Sequence, residues 1–194
     1  MIRAMREQEL LDRVIGALER AGIPYLVTGS FASGLQGSPR PTDNVDLVVP
    51  PETQVVRELK LAFGGAPEFQ LDEGEALRGF ARMDAFALED LGGSGRVVFW
   101  PLSDSAFDRS RFARRREEDF QGRPLTLSSP EDTILSKLYW GGRFGGAGKQ
   151  TEDALGVYEM QYSRLDLPYL RRWAAELGVQ GGLAELETRA QRLG

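Results

Sequence analysis

The run from Tyr25 to Val49, YLVTGSFASGLQGSPRPTDNVDLVV, constrains the fold more than any other part of this chain. Tyr25, Leu26 and Val27 are apolar and strand-prone, and Gly29-Ser30 interrupts them. Phe31 to Leu35 is long enough for one helical turn or slightly more, and Gly37-Ser38-Pro39 stops it. Val45 to Val49 reads as a second buried strand, closed by Pro50-Pro51. The order is strand, glycine turn, short helix, loop, strand. A glycine turn leading into a helix presents free backbone N–H groups that suit a phosphate. An acidic residue on the following strand suits a magnesium ion.

Side chains alternate across a strand, so residues 44 and 46 share a face and Asp43 points away. Two carboxylates on one face can bridge a pair of Mg²⁺ ions, one activating an attacking hydroxyl and one steadying a leaving pyrophosphate. Here the pair is Asn44 and Asp46. An amide oxygen is a much poorer ligand for a hard dication than a carboxylate. Asp43 could substitute only if the strand bends where it begins.

The residues Gly37-Ser38-Pro39-Arg40-Pro41-Thr42-Asp43-Asn44-Val45-Asp46 follow a G-x-x-R-x-T-x-D-x-D run, with Asn44 in place of the first Asp of the final pair. With the Gly29-Ser30 turn ahead of it, this resembles the nucleotidyltransferase superfamily, the polymerase β-like fold. More narrowly it resembles small bacterial members near the abortive-infection toxin type. A second block extends the likeness. Ser129-Pro130-Glu131-Asp132-Thr133-Ile134-Leu135-Ser136-Lys137-Leu138-Tyr139-Trp140 matches S-P-E-D-x-I-x-x-K-L-x-W. Lys149-Gln150-Thr151-Glu152-Asp153 then stands where relatives carry R-Q-x-x-D. The likeness covers about residues 20 to 180.

The resemblance implies an α+β protein of the nucleotidyltransferase fold, with a mixed β-sheet flanked by helices and a helical C-terminal segment. The chain divides accordingly into a core over 1–125 and a helical segment over 126–194 packed on it. The resemblance also implies a site. Gly29, Ser30 and the turn amides hold phosphates. Arg40 contacts the triphosphate or the loop itself, with Thr42 beside it. Lys137 contacts the triphosphate, and Asp153 orients Lys137. Asp46 carries the metal, and Asn44 falls on the first metal-binding position. The residues alone leave plainer roles open, with Lys137 as a surface helix residue and Asp153 as the cap of the next helix.

The family's third carboxylate has two placements here. One falls on Val98, after Arg96-Val97 and shortly before Phe112-Ala113-Arg114-Arg115, and loses the carboxylate. The other is Asp84, inside a strand read over 79–88. There an unpaired buried carboxylate would be costly, so Asp84 is either functional or paired with an arginine. The downstream spacing fits Val98 better.

The remaining sequence narrows the chemistry. There is no cysteine and no histidine. Disulfides, thiol chemistry and a Ser-His-Asp triad are therefore excluded, and a metal must be held by oxygen, which favours magnesium or manganese. The net charge of −5 does not suit a general nucleic-acid binder. No apolar run reaches the length of a membrane span, and the amphipathic start does not read as a signal peptide, so a cytoplasmic protein is expected.

Along the chain, 5–20 reads as an amphipathic helix, 51–63 as a second, and 68–71 as a short strand. The strands read over 79–88 and 96–102 form a hairpin. Arg109 to Arg116 is a basic cluster. It either meets phosphate or forms a solvated helix face paired with Glu117, Glu118 and Asp119. Ser129 caps a helix that begins at Pro130. Residues 141–149, GGRFGGAGK, read as a loop. They are not a phosphate-loop motif, because Arg143 sits where glycine is needed and a helix precedes them. Helices over 167–177 and 183–193 end the chain.

The expected function is therefore nucleotide triphosphate binding in a cleft between the Gly29-Ser30 turn and the Lys137 helix. The metal site is short of a carboxylate, so catalysis is weak or absent. The alternative is an active, toxin-like Mg²⁺-dependent enzyme that transfers NMP to RNA (tRNA), a protein or a small molecule. In either case RNA or a protein partner is a further expectation.

Overall fold

The computed structural model describes residues 2–42, 44–93, 95–144 and 147–191. In chain order these form α1 (Ile2–Arg20), β1 (Leu26–Thr28), α2 (Gly29–Gln36), β2 (Asn44–Val49), α3 (Thr53–Phe63), β3 (Phe69–Gln70), α4 (Glu73–Arg82), β4 (Phe86–Asp90), β5 (Gly95–Pro101) and α5 (Ala106–Ala113). There follow β6 (Arg116–Phe120), β7 (Arg123–Leu127), α6 (Pro130–Phe144), α7 (Ala147–Gln161), a 3₁₀ turn (Tyr162–Arg164), α8 (Leu167–Leu177) and α9 (Gln180–Gln191). The chain falls into two compact units. The first is Met1–Val27 with Thr42–Arg109; the second is Thr28–Pro41 with Ser110–Gly194. The boundary expected near residue 125 lies inside β7 of the second unit.

The first unit is built on a mixed sheet in the order β3-β4-β5-β2-β1. β2 and β5 run parallel, while β4 pairs antiparallel with both β5 and β3. Apolar residues recur at helical spacing in α1, and Leu10, Leu11, Val14, Ile15 and Leu18 are all buried. Val55, Val56, Leu59 and Phe63 do the same for α3. On the sheet, Phe86 stacks on Phe99 with ring centroids 4.9 Å apart, and Phe80 meets Phe86 edge-on at 5.0 Å. Arg13 lies over Phe63 and Phe69, at 4.6 and 4.8 Å from the ring centroids.

The strand expected over 79–88 does not form as one element. Its first part is the end of α4, and β4 starts only at Phe86. Asp72 caps α4 by accepting the Glu75 N–H, and Ala76, Gly79 and Phe80 form its buried stripe. The cap and the spacing of that stripe outweigh the apolar look of the run. Met83 closes the helix in the left-handed region at φ 59°.

The second unit joins α2 and a β6–β7 hairpin to the helices α6 to α9. At the start of α6 the Ser129 hydroxyl accepts the Asp132 N–H at 3.2 Å and donates to the Asp132 carboxylate at 2.7 Å. Asp166 caps α8, and Gly178 ends it with φ 71°. The segment after α2 runs tightly against α7, with no room for a side chain at Gly37. A Cβ on Gly37 would stand 2.6 Å from the Val157 nitrogen, and one on Gly156 would stand 3.2 Å from the Ser38 nitrogen. Gln36 and Gln161 fasten the contact: Gln36 donates to the Ser128 carbonyl at 2.6 Å, and Gln161 donates to the Gln36 carbonyl at 2.8 Å.

The basic run 109–116 is split between α5 and the start of β6, and the hairpin after it was not expected. The segment 141–149 is helical on both sides, with α6 running to Phe144 and α7 starting at Ala147.

Candidate functional site

In the second unit the chain leaves β1 and enters α2 at Gly29, whose φ of 71° is the left-handed conformation that favours glycine. Thr28 occupies the N-cap position and makes no side-chain cap hydrogen bond. The first-turn amides of α2 therefore have no side-chain cap, and they point where an anion would be favoured.

Ser30, on that first turn, is the centre of a charged cluster. Its Oγ accepts from Arg40 Nη2 at 2.6 Å and from Lys137 Nζ at 3.2 Å. Both cations also bind Asp153. Arg40 forks onto it, Nε to Oδ1 and Nη2 to Oδ2, each at 2.7 Å, and Lys137 donates to Oδ2 at 2.7 Å. The side chains of Lys137 and Asp153 are only 6% and 7% exposed. Arg40 and Lys137 thus share the Asp153 carboxylate. With both of its lone pairs engaged, Ser30 still has a hydroxyl hydrogen to donate.

Burial alone would push the Asp153 carboxyl up. The hydrogen bonds and charges of Arg40 and Lys137 outweigh it and hold Asp153 below the usual carboxylate range. The hydrogen bond to Asp153 raises the Arg40 guanidinium further. Lys137 is therefore a buried ion-pair partner rather than a surface residue. Asp153 lies within α7 rather than at its cap.

The first unit holds the expected metal positions. Asn44 and Asp46 share a face of β2, opposite Arg96 and Val98 of β5. Arg96 Nε donates to Asn44 Oδ1 at 3.0 Å, and Trp100 Nε1 donates to Asp46 Oδ1 at 2.9 Å. Thr42 turns the chain into the strand, its Oγ1 donating to the Asn44 carbonyl at 3.0 Å. Val98, directly across from Asp46, is buried. Asp84 sits in the exposed turn between α4 and β4, so the burial cost expected for it does not arise. Asp43 lies outside the described residues. Among the described residues no group of three or more His, Cys, Asp or Glu side chains is placed to hold a metal.

Arg96 and Trp100 were not singled out from the sequence. Their alternation with Val98 along β5 was a usable signal, but only the parallel register with β2 brings it opposite Asn44 and Asp46. One residue of the basic cluster departs from the expected pairing with residues 117–119. Arg114 pairs with Glu131 at 3.2 Å and Asp132 at 3.7 Å, not with residues 117–119, and lies 3.8 Å over the Tyr169 ring. Tyr169 donates to the buried Asp132 at 2.7 Å and also meets Ser110. Burial raises the Asp132 carboxyl against the opposing hydrogen bonds of Tyr169 and Ser129. This knot ties α5, α6 and α8 together.

No helix among the described residues is long and apolar enough to cross a membrane. No protein-family model matches the chain, and no curated protein matches its sequence. Solved structures do. A solution structure of the antibiotic-resistance factor ANT(2'')-Ia aligns at a TM-score of 0.55 and 18% identity, over 97% of this chain and 98% of that one. A crystal structure of ANT(2'')-Ia in complex with adenylyl-2''-tobramycin aligns at 0.56 and 18%, over 87% and 95%. ANT(2'')-Ia is an aminoglycoside nucleotidyltransferase, and the chain described here has the nucleotidyltransferase fold.

Proposed function

We propose that this protein binds a nucleoside triphosphate through the second unit, and that its capacity for NMP transfer is weak or lost. The observation that carries the reading is the Ser30 cluster. Two fixed cations, a hydroxyl with a hydrogen to donate and an uncapped helix start converge there. That donor set suits the oxygens of a polyphosphate, with Arg40 offering a planar fork and Lys137 a point charge. Asp153 holds both cations in place before a ligand arrives. Little side-chain entropy then remains to be lost on binding.

The weak-transfer part of the reading rests on the fit of the first unit to the metals that nucleotidyltransferases use. A two-metal centre needs carboxylates that bridge the ions. Here Asn44 is neutral and accepts from a guanidinium, and Val98 stands across from Asp46. Asp46 with Asn44 could retain at most a weakened Mg²⁺ site.

The test is thermal stability with each of the four NTPs, with and without Mg²⁺. At a hundredfold the dissociation constant, binding adds about 2.7 kcal/mol, a rise of roughly 5–10 °C for a chain of this size. Ser30→Ala should reduce the rise. Absence of a shift with every NTP in both conditions would sink the reading.

A second reading has one observation in its favour, the fold likeness to a protein solved with an adenylylated aminoglycoside. In that reading the protein is an active Mg²⁺-dependent transferase acting on a small hydroxyl-bearing acceptor, RNA or protein. Pyrophosphate release from an NTP with Mg²⁺ in the presence of such an acceptor would move the assignment to it.

A further inference from the structure

The Ser30 cluster is assembled from three stretches of the second unit. Ser30 and Arg40 come from α2 and the loop after it, Lys137 from α6 and Asp153 from α7. Gln36, the last residue of α2, lies between Ser30 and Arg40 in the chain and bonds toward both of the other stretches. Its side-chain Nε2 donates at 2.6 Å to the carbonyl of Ser128, just ahead of α6. Its backbone carbonyl accepts at 2.8 Å from the side chain of Gln161, at the end of α7. One bond therefore runs toward the helix that carries Lys137, and the other to the helix that carries Asp153.

We propose that Gln36 is a positioning residue for the triphosphate site, holding Ser30 and Arg40 in register with Lys137 and Asp153. The inference rests on the triphosphate-binding reading above and adds to it what sets the geometry of that site. Three features support it. Gln36 is 2% exposed, and its Oε1 is buried with no hydrogen-bond partner among the described residues. An unpaired buried polar atom is costly, and an apolar side chain of similar length would avoid that cost. The amide is thus a poor choice for stability alone; what it adds is direction, one donor aimed at one carbonyl. The second feature is the close approach that follows it. A Cβ on Gly37 would stand 2.6 Å from the Val157 nitrogen, so backbone packed on α7 leaves this segment little room to slide. The third is the stiffness of a helix. Ser30 is six residues from Gln36 on the same helix, about 9 Å along its axis, and a shift at one end is carried to the other.

The experiment compares the full wild-type chain with Gln36→Met by two readouts. One is the affinity for each NTP by calorimetry, with Mg²⁺ and with EDTA. The other is the magnetic resonance signal of the Arg40 Nε–H, assigned by its loss in Arg40→Lys. Affinity should fall about tenfold, within the range for residues coupled through one hydrogen-bond network. The Arg40 Nε–H should exchange with water faster, because its bond to Asp153 loosens. A glutamine that only stabilises the fold would lower the melting temperature and leave both readouts unchanged below it. Should Gln36→Met fail to fold, Gln161→Met removes only the bond to the Gln36 carbonyl and should move both readouts the same way by less. Unchanged affinity in the folded variant, or weaker affinity with the Arg40 signal unchanged, overturns the role of Gln36 and leaves triphosphate binding standing. Failure of every NTP to bind the wild-type chain overturns both.

Discussion

The Asp153 cluster and the Asn44 face use similar side chains in opposite ways. At Asp153 a buried carboxylate is the hub, and Arg40 and Lys137 are held against it. At Asn44 the hub is a neutral amide, and a half-exposed arginine is held against that. The first arrangement cannot lose a partner without leaving a charge buried. The second can lose its arginine to solvent at little cost. A cluster that must stay paired contributes to folding whatever its ligand.

The largest effect should follow from removing the hub. Asp153→Ala leaves the Lys137 ammonium buried without its anion, and should cost roughly 3–5 kcal/mol in a urea titration. Arg96→Gln, in the same titration, should stay within about 0.5 kcal/mol of the wild type, as exposed pairs do. Equal losses would erase the contrast. Acid sharpens it further. The folded pKa of Asp153 lies below its ordinary value of 3.8. Its stabilisation is therefore complete above pH 3.8 and is lost as the pH falls through the lower, folded value. Asp153→Asn should lack that share of the acid limb in a stability–pH profile.

A smaller effect comes from the backbone that carries Arg40 to this hub. In Gly37→Ala the new methyl would meet the backbone of Gly156 and Val157 at 2.6–3.0 Å, and backbone cannot yield by changing rotamer. Overpacking of this kind costs about 1–3 kcal/mol. The melting temperature should fall accordingly. NTP affinity should fall with it, because α2 and the Arg40 loop would shift against α7. A drop in stability with affinity untouched would show that the Ser30 cluster does not depend on this close approach.

Much of the frame was legible in the sequence because it is written in local rules. The glycine turn at Gly29, the Ser129 cap and the buried stripes of α1 and α3 each follow from neighbours in the chain. The membership of Ser30, Arg40, Lys137 and Asp153 in one site came through resemblance, and the geometry brings all four together. Local reading failed where pattern was weak or partners were remote. The segment 79–82 looks like a strand because Gly79, Phe80 and Ala81 are strand-compatible, yet the Asp72 cap and the stripe behind it make it helix. Arg114 has acids within five residues and pairs instead with Glu131 and Asp132, across a hairpin whose existence was not read. Arg96 was seen only as a basic residue preceding Val98. Its place opposite Asn44 is a matter of strand order, and strand order is not a local property.

Another small expected effect tests whether the exposed side of this comparison is as loosely built as the half-exposed Arg96. Trp100 is 42% exposed and donates its indole N–H to Asp46. Trp100→Phe keeps an aromatic ring on the strand and removes that one hydrogen bond. A net contribution of about 0.5–1.5 kcal/mol is typical of an intramolecular hydrogen bond, and the exposed setting places this one at the low end. The urea midpoint should therefore move little. Binding of Mn²⁺, followed as a Mg²⁺ substitute, should remain as weak as in the wild type, because the missing ligand is the carboxylate absent at Asn44 and not the oxygen engaged by Trp100. Asn44→Asp combined with Arg96→Val should strengthen Mn²⁺ binding, since it restores a carboxylate and removes the competing cation. A Trp100→Phe loss above about 2 kcal/mol would instead fit a buried, structural bond. Asp46 would then be a folding hub like Asp153. Tight Mn²⁺ binding in the single variant would mean that the indole, rather than the amide and guanidinium, is what keeps a metal from this strand.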